Sequence, residues 1–139
     1  MNFLEKKYLE FVLNDIIDEK KTKAIKLYAI LTMLDGVVKK IEIIDTDILI
    51  QRNIKKAHPL ILKNRLVQAK KYFHNFFIEE VKKYKKDHSY YELEKMYIID
   101  YLNKNKQKNF FIEDILMIIK ADNEISQEER EFLHQIGVS

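Results

Sequence analysis

The chain has 139 residues and a formal net charge of +3, and it is 47% hydrophobic and 34% charged. That length fits one domain of the common size, about 100–150 residues, and the balance is too apolar for a disordered chain and too charged for a membrane bundle. With no cysteine, a disulfide scaffold, a thiolate zinc site and a cysteine nucleophile are excluded. Two glycines and one proline are too few for a hairpin-rich β protein or a glycine phosphate cradle. The expectation is an all-α, single-domain bundle of about seven helices over residues 1–139.

Leu4, Tyr8, Phe11, Val12 and Ile16 recur at helical spacing and predict a first helix with that stripe on the core. A second runs from Thr22 to Leu34 with Ile25, Tyr28, Leu31 and Leu34 in line, and Asp35-Gly36 breaks it. Ile41 to Lys56 resumes the pattern, although its isoleucines would also suit a strand. Pro59 is expected to open the next helix, whose stripe from Leu62 through Phe73 to Tyr84 runs to about Lys86. Ser89-Tyr90-Tyr91-Glu92 fits a capping box for a helix reaching about Asn103. A polar loop, Asn103 to Asn109, then leads into a helix from Phe110 to Ala121. Ser126 to Glu129 is a second capping box, and Gly137 suits a left-handed cap at the end of the last helix.

Asp35-Gly36-Val37-Val38 with Glu42 lines up with Asp122-Asn123-Glu124-Ile125 and Glu129, both reading D-[GN]-x-[VI]-x-x-x-E. The same offset pairs Ile25 with Ile112, Tyr28 with Ile115, Leu31 with Ile118, Phe11 with Ile98 and Val12 with Ile99, which predicts two pseudo-repeated halves joined by the Pro59 helix. The second copy, Ala121-Asp122-Asn123-Glu124-Ile125-Ser126 followed by Glu129, resembles the signature of the TerB-like family. Those are the tellurite-resistance domains that also head some membrane-anchored J-domain co-chaperones. Asn123 stands where the family has glycine, and asparagine tolerates the same left-handed backbone. Lys39 replaces the capping serine of the earlier copy. The resemblance implies a non-enzymatic binding or scaffolding domain with an acidic, metal-binding surface, a protein partner, and a link to tellurite or envelope stress.

Asp35 closes one predicted helix and Glu42 opens the next, and Asp122 with Glu129 repeats the arrangement, with Glu124 beside it. Clustered carboxylates favour a hard divalent cation such as Ca²⁺ or Mg²⁺, which makes these five the candidate metal residues. The alternative is that Glu129 only completes the capping box and the acids favour the helix dipole. A conventional calcium loop is disfavoured, because its twelfth position counted from Asp122 is Leu133.

Between Arg52 and Lys86 eleven lysines or arginines face only Glu79 and Glu80, so the rest of the chain is net acidic. Such a helix could meet nucleic acid or an anionic membrane surface, or its lysines could form the solvated side of a core helix. His58, His74, His88 and His134 form no metal-binding spacing, and no G-x-S-x-G elbow is present. The expectation is therefore a protein that is not an enzyme. A small metal-dependent enzyme using the acids is the remaining alternative. The start of the chain meets Glu5, Lys6 and Lys7 before any long apolar stretch, so it is expected to be cytoplasmic.

Overall fold

The computed structural model describes residues 1–34, 40–104, 108–120 and 124–138, without the side chains of 40–42 and 44. Among the described residues there are seven helices and no strand: α1 (Phe3–Val12), α2 (Glu19–Met33), α3 (Lys40–Ala57), α4 (Lys63–Lys86), α5 (His88–Lys104), α6 (Lys108–Ile119) and α7 (Gln127–Gln135). The isoleucine-rich segment is thus helical, burying Leu49, Ile50 and Ile54. Among the described residues no helix is long and apolar enough to cross a membrane.

α2 is the axis of the bundle and packs on α3, α4, α5 and α6. Ala24, Ile25 and every residue from Leu27 to Thr32 are buried, so its centre is covered all round and has no solvent stripe. Lys23 stacks on Tyr101 and Lys26 pairs with Glu94, which sets α5 antiparallel to α2. Lys20 meets Phe110 and Tyr28 meets Asp114 in the same chain order, so α6 runs in the same sense as α2. The repeat offset pairs buried with buried in Tyr28 and Ile115, and in Leu31 and Ile118. In the preceding helices it is mixed: Val12 and Ile99 are both half-buried, but Phe11 is exposed while Ile98 is buried.

Three local expectations are corrected. Of the stripe expected on α1, Ile16 is buried and Val12 half-buried, but Leu4, Tyr8 and Phe11 face outward and Leu9 and Leu13 take the inner side instead. Pro59 does not open a helix: the Ile61 N–H donates to the His58 carbonyl at 3.1 Å, which makes Pro59 the second residue of a turn, a position its fixed φ suits. α4 starts four residues later behind an extended Leu62 with no side-chain cap, and runs unbroken to Lys86. Ser89 is not the cap of α5. Asp87 ends α4, and its carboxylate accepts from the Tyr90 N–H at 3.1 Å, so one residue stops one helix and starts the next.

The Ser126 box is present, with Ser126 accepting from the Glu129 N–H at 3.1 Å and Glu129 accepting from the Ser126 N–H at 2.9 Å. Gly137 has φ +80° and its N–H donates to the His134 carbonyl at 3.0 Å, as a left-handed cap requires.

Candidate functional site

Of the five candidate metal residues, Asp35 and Asp122 lie outside the described residues, as does the side chain of Glu42. Glu124 is exposed, and Glu129 is 2% exposed with an oxygen engaged in the capping box. Among the described residues no group of three or more His, Asp or Glu could hold a metal ion. α2 and α6 run in the same sense, so Leu34 and Lys120, the last described residues after each, lie towards the same end of the bundle.

At the opposite end, where α2 and α6 begin and α3 finishes, the structure gathers a different set of side chains. Asp18, Lys20, Lys21, Asn53, Lys56 and Phe110 line a cleft of about 200 Å³. Asp18 is the N-cap of α2 and accepts from the Lys21 N–H at 2.8 Å and the Lys21 ammonium at 2.6 Å. Burial pushes the Asp18 carboxyl up, but the two hydrogen bonds from Lys21 outweigh it and hold the group below its ordinary value. Lys21 is 7% exposed and so has its charge compensated within the wall.

Lys20 and Lys56 are different. The Lys20 ammonium stands 3.5 Å from the centre of the Phe110 ring and the Lys56 ammonium 5.0 Å from it. Neither makes an ion pair with a carboxylate among the described residues. A ring face attracts a cation weakly, about 0.5–1 kcal/mol at an exposed site, and does not neutralise it. Two like charges held on one ring therefore create a local positive field at the mouth of the cleft.

Asn53, in the wall of the cleft, is held from behind by a network that the sequence hides. The Tyr28 hydroxyl donates to Asp114 at 2.8 Å and accepts from the Asn53 amide at 2.5 Å, and Asn53 also donates to the Leu49 carbonyl at 3.1 Å. Arg52 lies 3.7 Å from the other Asp114 oxygen, so the buried carboxylate meets both a hydroxyl and a guanidinium. Burial, then the Asp114 charge, pushes the Tyr28 hydroxyl far above the ordinary tyrosine range, so it remains a donor. This chain ties α2, α3 and α6 together and fixes Asn53 one turn before Lys56.

His74 and Asp47 form a half-exposed pair at 2.6 Å beside Lys70 and Lys71, with no serine, threonine or cysteine lining the same hollow. α4 buries Tyr72, Phe73, Phe77 and Tyr84 and turns most of its lysines to solvent, which is the solvated-face arrangement of a core helix.

Sequence reasoning missed the cleft because Lys20, Lys56 and Phe110 belong to three helices and share no spacing. The available signal was Asp18-Glu19-Lys20-Lys21, where a capping aspartate precedes two lysines. Compared with known proteins, the chain matches no family model, no curated protein and no solved structure.

Proposed function

We propose that the chain is a non-enzymatic binding domain that takes a small organic anion, carrying a phosphate or carboxylate, in the cleft between the starts of α2 and α6 and the end of α3. One observation carries this reading: two ammonium groups, Lys20 and Lys56, share the Phe110 ring and meet no carboxylate among the described residues. An anion bridging them would relieve their repulsion and gain charge-assisted hydrogen bonds. The cleft volume suits a compact ligand, below the roughly 300–1,000 Å³ of drug-sized sites. The cleft supplies positive charge, a ring and an amide, and its one lining carboxylate, Asp18, is tied to Lys21 as the cap of α2, which supports binding over catalysis.

Calorimetric titration with inorganic phosphate and with citrate tests the reading. Binding of either should fall at least about tenfold in Lys20→Gln/Lys56→Gln, since a hydrogen bond to a charged group contributes about 1.5–3 kcal/mol. No heat from either probe at millimolar concentration, or equal heats in the double variant, would remove the cleft as an anion site.

The TerB-like resemblance and a divalent cation at Asp35, Glu42, Asp122, Glu124 and Glu129 are a second proposal. It is supported by the recurrent spacing and by the common sense of α2 and α6, which end on one side. Titration with Ca²⁺, Mg²⁺ and Mn²⁺ tests it, and absence of binding in all three would dismiss it.

A further inference from the structure

α1 is turned the wrong way for a helix whose only task is to cover a core. Phe3, Leu4, Tyr8 and Phe11 are 70%, 77%, 59% and 78% exposed, while on the inner side Leu9 is buried. At 100° per residue these four fall on one outward face together with Lys7. The helix is not loosely attached. Glu5 pairs with Lys71 and Lys6 with Glu79 on α4, and Arg65 forks onto Asp15 at 2.6 and 3.2 Å just beyond the helix.

The charge around this face is one-sided. The neighbouring acids Glu5, Glu10 and Glu79 each already meet a lysine. On α4, Lys82 and Lys86 lie one turn apart on the side that carries Asn75, and the nearest carboxylate on that side, Glu79, is the one Lys6 meets. Lys82 and Lys86 are exposed and make no ion pair among the described residues. An apolar stripe of aromatic and leucine side chains on a helix packed against α4, where Lys82 follows the Lys6–Glu79 pair by one turn and Lys82 and Lys86 are left unneutralised, matches the boundary between acyl chains and anionic headgroups.

A second copy fits less well. Each aromatic side chain offers at most roughly 150–250 Å² and each is only partly exposed, so the stripe falls short of the roughly 800 Å² that each partner of a stable dimer buries. A twofold pairing would also set each basic edge against its own copy.

We infer that α1 is the docking face of this protein for an anionic membrane surface, with Lys82 and Lys86 of α4 supplying the attraction. The inference stands apart from the anion cleft, which lies at other residues.

Co-sedimentation with vesicles of phosphatidylcholine alone, and of phosphatidylcholine mixed with phosphatidylserine, tests it on the full chain. The wild type should bind the mixed vesicles, weakly or not at all the neutral ones, and release as salt is raised. Phe11→Glu, and independently Leu4→Glu, should lower the mixed-vesicle affinity at least about tenfold with helical content unchanged, because each side chain is exposed in the free protein. Lys82→Gln/Lys86→Gln should weaken it by about tenfold on mixed vesicles only. Failure to bind mixed vesicles, or binding that survives both glutamate variants, overturns the inference. So does binding lost instead in Met96→Glu on the exposed part of α5, or a dimer in sedimentation velocity that Phe11→Glu dissociates.

Discussion

Tyr28, which accepts from Asn53 in the cleft wall, and Asp18, which lines the cleft, are the two residues whose single hydrogen bonds can be tested one at a time. Removing the Tyr28 hydroxyl leaves Asp114, 8% exposed, with only the longer Arg52 contact, so Tyr28→Phe should destabilise by about 1–3 kcal/mol in urea unfolding. A change below a few tenths would show that the hydrogen bond is not needed to shelter Asp114. For Asp18 the folded carboxyl titrates below its unfolded value. Its contribution is therefore present above an ordinary aspartate pKa of about 3.9 and is lost as pH falls through the depressed folded value. Asp18→Asn keeps a capping oxygen but removes the charge. Urea midpoints of wild type and Asp18→Asn should differ at pH 6 and converge in strong acid, and a constant gap would refute the ion-pair role. Neither residue announced itself, since a tyrosine in an apolar stripe and an aspartate before two lysines are ordinary sequence features until the partner helices are in place.

At the scale of helices, Asp87 is predicted to matter more than Ser89. Asp87→Ala should cost about 0.5–2 kcal/mol and Ser89→Ala, inside the first turn of α5, within about 0.5 kcal/mol in either direction. Equal effects in thermal or urea unfolding would contradict the assignment of the cap. Gly137→Ala forces a left-handed alanine at φ +80°, with a cost of about 1–2 kcal/mol. Helix positions were largely legible because apolar periodicity and scarce turn formers both speak for helix. Their starts were less so: Ser89 and Asp87 are both good caps, and only the turn out of α4 decides between them. Pro59 likewise suits a first helical turn or the second place of a β-turn, and His58–Ile61 takes the latter. The choice of inner face in α1 was hidden for a simpler reason. Leu4-Tyr8-Phe11 and Leu9-Leu13-Ile16 have comparable spacing, and periodicity alone does not say which stripe meets α4.

For the whole molecule, three tyrosines link stability to alkaline pH. Burial and the charges of Asp114 or Glu80 raise Tyr28, Tyr84 and Tyr90 above the ordinary tyrosine value. Each stays neutral in the folded state where the unfolded side chain would ionise, so stability is fully present below about pH 10 and is lost as pH rises beyond it. Urea midpoints should hold between pH 7 and 9 and fall above pH 10, with a shallower fall in Tyr84→Phe. A flat profile through pH 11 would contradict the burial of these groups. The all-α bundle was readable from composition and stripes, whereas the cleft arises where α2, α3 and α6 meet and exists only at the level of the assembled bundle.

Calorimetric titration of the wild type and Lys20→Gln/Lys56→Gln with inorganic phosphate and citrate, at low and high salt, bears most directly on the cleft as the functional centre. The account predicts saturable binding of at least one probe by the wild type, weakened by salt and reduced at least about tenfold in the double variant with an unchanged melting temperature. Absence of binding in the wild type, or binding that the two substitutions leave intact, would contradict it.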